Sequence, residues 1–192
     1  RYRQFWQFGC ELIGADSAAA DAEVIALAYS LLKCTGVNFI IKVGHLAPMK
    51  SLLADLDAVE QKKVMSALDK RDEELLKNTV ASLGKPELFE PLVALTKAQS
   101  LAEVFAVVGD IPEKARIEET FGFLEAQNIP VVYNFGIARG LDYYTGMVFE
   151  GFADNLGAEN QILGGGVYRL AHLFGGKDTP SCGFGIGFDR VA

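Results

Sequence analysis

Two short stretches near opposite ends of the chain carry the side chains best suited to binding a small polar molecule. The later stretch, residues 139–150, reads RGLDYYTGMVFE and contains these polar and aromatic residues: Arg139, Asp142, Tyr143 and Tyr144. The runs before and after it, 131–135 and 147–152, are rich in β-branched and aromatic residues, as is typical of strands. A hairpin joining these runs would hold the four side chains at the rim of a sheet, where ligands often bind. The alternative is a structural hairpin whose tyrosine pair packs against the core.

The earlier stretch, residues 1–14, reads RYRQFWQFGCELIG and alternates as a strand does. Side chains alternate with period two, so one face carries Phe5, Gln7, Gly9, Glu11 and Ile13. The other face is apolar and is expected to pack on helices: Trp6, Phe8, Cys10 and Leu12. An amide, a carboxylate and a missing side chain on the first face predict the floor of a pocket, with room above Gly9. A solvated sheet face is the alternative, but it would not explain Phe5.

Glycines dominate two further stretches. Residues 161–168, QILGGGVY, place three glycines after a short apolar run, so the backbone can approach a ligand or another chain closely. They lack the Gly-Lys-Ser/Thr ending of a phosphate-binding loop. Residues 181–192, SCGFGIGFDRVA, predict a strand that leads into a helix. Arg190 lies at the start of that helix, where a cation gains nothing from the helix dipole, so it favours contact with an anion or an aromatic ring. An ordinary surface arginine is the alternative.

The remaining sequence predicts the elements that hold these stretches. A helix begins at Asp16 or Ser17, continues to about Cys34 and ends at Gly36, and a strand follows over 37–46. A short helix is predicted over 170–174. The block 48–128 is nearly all helical, with segments predicted at 48–56, 58–82, 86–97, 99–107 and 112–127. Its charges, Asp69, Lys70 and Arg71 among them, are mixed in sign and are interpreted as a solvated face. We therefore expect an α+β core, 1–47 and 129–192, with an inserted small helical domain, 48–128.

Composition narrows the functional classes. The chain has 192 residues, of which 50% are hydrophobic, and a net charge of −7, which fits one globular domain or one with a small insert. No run of Lys or Arg marks a nucleic-acid surface, so such a contact would need local arginines or a region outside this sequence. The three cysteines are widely spaced and there are two histidines, which predicts a cytoplasmic protein without a metal site. No membrane span or signal peptide is predicted.

Together these stretches resemble the class II aminoacyl-tRNA synthetases, and within that class the histidyl-tRNA synthetases. RYRQFWQFGCELIG is similar to the second half of motif 2, RGLDYYTGMVFE to the histidine-specific signature, and GFGIGFDR to motif 3. Residues 167–176, VYRLAHLFGG, stand where many bacterial relatives have an Arg-Tyr-Asp run, which favours the archaeal branch, and Asp189 stands where Glu is common. Motif 1, the first half of motif 2 and an anticodon-binding domain have no match here. We therefore expect a fragment of a catalytic core that is impaired or inactive alone.

The resemblance implies an antiparallel sheet flanked by helices and a reaction in two steps. Histidine and ATP, the latter with Mg²⁺, would give histidyl-adenylate, and the histidyl group would then pass to tRNA(His). By the same resemblance, histidine would be bound by Gln7, Glu11, Arg139, Tyr143 and Tyr144. Arg139 would be the catalytic residue, and Phe5 and Arg190 would hold ATP. The family also implies a homodimer and no membrane partner. The alternative is a synthetase-like regulatory or tRNA-sensing module without aminoacylation activity, although the retained Arg139 favours the enzyme.

Overall fold

The computed structural model describes residues 3–136, 143–154 and 160–192. Within these ranges six strands form one sheet: β1 (Gln7–Ile13), β2 (Phe39–His45), β3 (Val132–Tyr133), β4 (Tyr144–Ala153), β5 (Gln161–Tyr168) and β6 (Ser181–Gly187). Their order across the sheet is β1-β6-β5-β4-β2-β3. The pairs are antiparallel except β2 with β3, which is parallel. The predicted α+β class is confirmed, and the sheet is mixed rather than wholly antiparallel.

Helices connect and cover the strands. Their bounds are α1 (Ala18–Cys34), α2 (Leu46–Leu52), α3 (Ala58–Asp69), α4 (Glu73–Ser82), α5 (Phe89–Lys97), α6 (Leu101–Val108), α7 (Lys114–Ala126) and α8 (Phe188–Val191), with 3₁₀ turns at Pro86–Leu88 and Ala171–Phe174. Ser17, one of the two predicted caps, caps α1, its hydroxyl accepting from the Ala20 N–H at 3.2 Å. The predicted helix over 58–82 is two helices, because Arg71 adopts a left-handed φ of 55° and Asp72 starts a new helix. Among the described residues, no helix is both long enough and apolar enough to cross a membrane.

The predicted hairpin between 131–135 and 147–152 is wrong. β3 and β4 are not paired, because β2 lies between them and bonds to both. The seven residues of β2 offer β4 a long ladder, whereas β3 is two residues long. Gly44 makes the close approach of the β3 segment possible, since a Cβ there would lie 2.0 Å from the carbonyl oxygen of Asn134.

The first strand is shorter than predicted. It begins at Gln7, so Phe5 precedes it and the alternating pattern does not extend that far. Phe8 and its neighbours on the same face pack against the apolar core as expected, but Trp6 is 67% exposed. Trp6 instead meets α8 through its backbone, which donates to Asp189 Oδ2 at 3.2 Å.

One face of the sheet packs on helices and the other remains open. The packed face carries fully buried residues such as Ile41, Phe149 and Ile186, which join α1 and α7 in one apolar cluster. Side chains of the helical block, Leu92 and Leu95 among them, belong to the same cluster. The packed face anchors the sheet, and the open face is available for a ligand, as is common for sheets covered on one side only.

Candidate functional site

A groove of about 1240 Å³ crosses the open face of the sheet. The residues predicted from three separate stretches of sequence meet there, since these side chains line it: Gln7, Glu11, Tyr143, Tyr144 and Arg190. Phe5 lies outside the described lining and is 65% exposed, just ahead of β1. Arg139 and Asp142 lie outside the described residues. The groove therefore brings together five of the seven residues predicted to bind histidine or ATP.

Glycines make the floor of this groove. Gly9 of β1 lies opposite Gly185 of β6, which lies opposite Gly164 of β5. In the next row of the same face, Glu11 lies opposite Gly183, which lies opposite Gly166. Missing side chains let a flat ligand approach the backbone closely.

Two of these glycines also make room for the functional side chains. A Cβ on Gly183 would lie 1.7 Å from Glu11 Oε2, and a Cβ on Gly166 would lie 2.8 Å from the Tyr144 ring. Glu11 and Tyr144 therefore lie over strands that carry no side chain beneath them. Period-two alternation in both glycine-rich strands places these gaps on the groove side.

A carboxylate and three phenols form one end of the groove. The Tyr168 hydroxyl donates to Glu11 Oε2 at 2.6 Å. Tyr144 lies opposite Tyr168 across the β4–β5 pair, and the Tyr143 ring centroid is 4.2 Å from that of Tyr144. Burial raises the pKa of Tyr144 well above its usual value, and burial together with the bond to Glu11 raises the pKa of Tyr168 to about 12. Both phenols are thus neutral hydrogen-bonding groups near neutral pH, beside a carboxylate that can accept from a cationic or N–H ligand.

Arg190 marks the opposite end of the groove. Its Nη1 donates to the carbonyl oxygen of Gln161 at 3.1 Å, which holds the guanidinium across the start of β5. The side chain also lies against Gly187, where a Cβ would be 3.4 Å from Arg190 Cδ. A planar cation in this position suits an aromatic ring or an anion. The groove thus has a cationic end and a carboxylate–phenol end.

Sequence reasoning missed two sets of lining residues. Tyr168 lies two residues beyond Gly166, so the alternation of β5 could have placed it on the glycine face. The turn between α3 and α4 also lines the groove through Asp69, Lys70 and Arg71, which are exposed as their mixed charges predicted. No local signal predicts this approach, because helix packing brings the turn over the sheet. A second cavity of about 370 Å³ shares Asp69, Arg71 and Glu150 with the groove.

The described residues show no arrangement suited to binding a metal ion. Within the ranges 3–136, 143–154 and 160–192, no three His, Cys, Asp or Glu side chains group in a way that could hold one. Cys182 is buried, and burial raises the pKa of its thiol to about 12, so it is a packing residue rather than a ligand.

The fold has solved counterparts that define its class. A structure titled an ATP phosphoribosyltransferase regulatory subunit/histidyl-tRNA synthetase from Bacillus halodurans superposes with a TM-score of 0.83 at 26% identity, over 97% of this chain and 52% of that one. The histidyl-tRNA synthetase from Nostoc sp. PCC 7120 superposes with a TM-score of 0.82 at 21% identity, over 98% of this chain and 50% of that one. The sheet and its flanking helices have the class II synthetase catalytic fold.

Sequence comparison gives the family. The chain belongs to the histidyl-tRNA synthetase family, whose profile matches residues 1–191. It is 81% identical over 191 residues to the histidine–tRNA ligase of Methanocorpusculum labreanum, covering 100% of this chain and 47% of that protein. A second relative, the histidine–tRNA ligase of Methanoregula boonei, is 65% identical over the same share of each chain. The chain thus spans about half the length of the curated relatives it matches.

Proposed function

We propose that this chain forms the histidine- and ATP-binding floor of a histidine–tRNA ligase. The observation that carries this proposal is the convergence of Glu11, Tyr144 and Tyr168 with Arg190 in one glycine-floored groove. The similarity to archaeal histidine–tRNA ligases supports it. The enzyme would activate histidine with ATP and then transfer it to tRNA(His).

The carboxylate–phenol end suits histidine. Imidazole needs an acceptor for its N–H and a partner for its second nitrogen, and Glu11 and the Tyr144 hydroxyl can supply them. Tyr168 holds the Glu11 carboxylate through the 2.6 Å hydrogen bond. Gln7, on the same face of β1, would accept from the α-amino group, and Tyr143 would line the pocket. A site built this way rejects analogues that leave its polar groups unpaired.

Adenylate formation needs positioning and positive charge rather than a general base. The histidine carboxylate is already an anion that can attack the α-phosphate of ATP, so catalysis is orientation and electrostatics. Arg190 would cover the adenine or meet the anionic tail, with Phe5 on the other face of the ring. Arg139 would be the catalytic cation at the carboxylate and α-phosphate. Mg²⁺ would enter with ATP as part of that substrate.

The helical block would serve the second substrate. We propose that residues 48–128 form an inserted domain between the core segments 1–47 and 129–192, and that this domain contacts tRNA(His). The α3–α4 turn supports an approach to the site, since Lys70 and Arg71 line the groove. A homodimer and a cytoplasmic location are further proposals that follow from the family.

A synthetase-like regulatory module is the second candidate. It is supported by the Bacillus halodurans structure, which is described as an ATP phosphoribosyltransferase regulatory subunit/histidyl-tRNA synthetase. Such a module would need neither the histidine contact of Tyr144 nor a cation at the α-phosphate. Histidine binding and pyrophosphate exchange therefore separate the two functions.

The test is calorimetric titration of the full-length protein with histidine, together with histidine-dependent pyrophosphate exchange. Tyr144→Phe should weaken histidine binding by about 1–3 kcal/mol, the cost of an unpaired buried polar group. Tyr29→Phe is the matched control, because Tyr29 packs edge-on against Phe39, away from the groove lining. Arg139→Ala should abolish pyrophosphate exchange. A full-length protein that binds no histidine would refute the ligase, and binding without exchange would favour the regulatory module.

A further inference from the structure

A series of ion pairs lies beside the carboxylate–phenol end of the groove. Asp16, just ahead of α1, pairs through one oxygen with Arg116 of α7 and through the other with Arg169, which directly follows β5. Arg169 also pairs with Asp178 at 3.0 Å. Arg116 continues the series inward, donating from Nε and Nη2 to Asp21 Oδ2 at 3.1 and 3.0 Å.

This series continues the contact that orients Glu11. Arg169 is the neighbour of Tyr168, whose hydroxyl donates to Glu11. Asp16 follows the strand that carries Glu11. Strands β1 and β5 are not neighbours, because β6 lies between them. The Glu11–Tyr168 bond and the Asp16–Arg169 pair therefore bridge the same two chain segments across β6, at successive points.

The exposure of the pair favours an effect on position rather than on global stability. Asp16 is 41% exposed and Arg169 is 32% exposed, and ion pairs this accessible contribute little to the free energy of unfolding. Their geometry is nevertheless restrained, because each oxygen of Asp16 has its own guanidinium. The hydrogen bond from Arg116, with the charges of both arginines, holds the pKa of Asp16 below its usual value, so the carboxylate stays charged. The pair with Asp16 restrains Arg169, the residue that directly follows Tyr168 at the end of β5.

We propose that Asp16 and Arg169 are positioning residues for histidine recognition. They fix the chain beyond Tyr168 so that its hydroxyl holds the Glu11 carboxylate towards the ligand. Because Asp16 also pairs with Arg116, they further connect the position of the Glu11 carboxylate to the packing of α7, the last helix of the helical block. The inference rests on the proposed function for its ligand, but the bridge across β6 can be tested without it.

The first experiment measures histidine and ATP affinities of the full-length protein by calorimetry. Arg169→Gln should weaken histidine binding about two- to fivefold, the scale of an accessible ion pair, and leave ATP affinity unchanged. Asp16→Asn should do the same, and Arg169→Lys should restore part of the loss. Asp110→Asn is the control for loss of a surface ion pair, since Asp110 pairs with Lys114 at 3.7 Å but is 91% exposed and far along the chain from Tyr168.

A double-mutant cycle separates positioning from general damage. In a Tyr168→Phe background, Arg169→Gln should have no further effect on histidine affinity, because the hydroxyl it positions is absent. Additive losses, or equal losses of histidine and ATP affinity, would overturn the proposal. Because Arg169 does not touch the buried Asp21, its variant tests the proposal even if Asp16→Asn fails to fold.

A second readout does not depend on histidine. The ring-carbon NMR shift of Tyr168, assigned from its loss in Tyr168→Phe, reports the hydrogen bond to Glu11 in the free protein. Arg169→Gln should move it towards the shift measured in Glu11→Gln, and Asp110→Asn should not. If the wild-type protein binds no histidine, the proposed function fails. The NMR measurement still shows whether the Asp16–Arg169 pair positions the Tyr168 hydroxyl on Glu11. An unmoved Tyr168 shift in Arg169→Gln would refute it.

Discussion

A methyl group added at Gly183 should displace the Glu11 carboxylate without breaking the sheet. The Cβ of Gly183→Ala would lie 1.7 Å from Glu11 Oε2, 2.2 Å from Cδ and 2.7 Å from Oε1. These atoms are the far end of a flexible, exposed side chain, so Glu11 can rotate away into solvent. The hydrogen bond from Tyr168 is then lost, and with it the acceptor proposed for imidazole.

Gly183→Ala should change histidine affinity more than it changes the free energy of unfolding. The Tyr168 bond to a charged group is worth about 1.5–3 kcal/mol, but both partners remain accessible to water and recover part of it. Replacing glycine by alanine in an extended segment gains about 0.4–1 kcal/mol through the unfolded chain. The free energy of unfolding should therefore change by no more than about 1 kcal/mol. Histidine affinity should fall by about 1.5–3 kcal/mol, or roughly 10- to 150-fold.

Two neighbouring glycines supply controls on the same face. At Gly185 the nearest atom to an added Cβ is Gln7 Nε2 at 3.7 Å, an ordinary contact, so Gly185→Ala should leave Glu11 in place. At Gly9 the added Cβ would lie 2.0 Å from the Phe184 carbonyl oxygen, which is backbone and cannot rotate away. Gly9→Ala should therefore lose about 1–3 kcal/mol or more of stability.

Urea unfolding and histidine calorimetry on the same three variants check these values. A folded Gly183→Ala protein that binds histidine with wild-type affinity would show that Glu11 does not contact the ligand. A Gly183→Ala protein as unstable as Gly9→Ala would show instead that the Glu11 side chain is not free to move. Either result would refute the reasoning from the glycine floor.

Three further predictions concern the framework around the groove. Arg116→Met should lower the free energy of unfolding by about 3 kcal/mol in urea titrations, because it leaves the 2% exposed Asp21 carboxylate without its guanidinium, and adding Asp21→Asn should recover much of the loss. Burial lowers the pKa of His45 to about 4, so the unfolded chain takes up a proton first and stability should fall by about 3 kcal/mol as pH drops from about 6.5 to 4. His45→Asn keeps a capping acceptor, and an unchanged pH slope in that variant would contradict the assignment. Ser17→Ala should cost about 1 kcal/mol by removing the α1 cap, and Ser17→Asp should not.

Features set by neighbouring residues could be predicted from the sequence. The cap at Ser17, the left-handed Gly36 after α1 and the strand-to-helix change at Gly187 each depend on a few adjacent side chains. Alternation along β1 correctly placed Gln7 and Glu11 on one face, because pleating fixes that face whatever lies beside the strand. The histidine and ATP roles of these residues, and the bounds of the helical insertion, stay predictions.

Features set by distant pairing could not be predicted. Chain proximity suggested that β3 and β4 pair, but β2 competes for the same edge of β4 and offers a longer ladder. The α3–α4 turn reaches the groove through packing of whole helices, which its own charges do not encode. Glu11 and Tyr168 are separated by 157 residues, and their contact depends on the missing side chain of Gly183 between them.

The strand order also determines the order in which parts of the sheet can form during folding. Among the described strands β1 is synthesised before β2 to β6, but its partner β6 lies near the other end of the sequence, and the Trp6 N–H bonds to Asp189 across 183 residues. Closing so long a loop slows folding, and until it closes β1 lacks its partner β6. The groove floor is therefore among the last parts of this chain to form during synthesis. A product truncated before β6 would leave the facing edges of β1 and β5 without their partner strand, and it would lack the central strand of the groove floor.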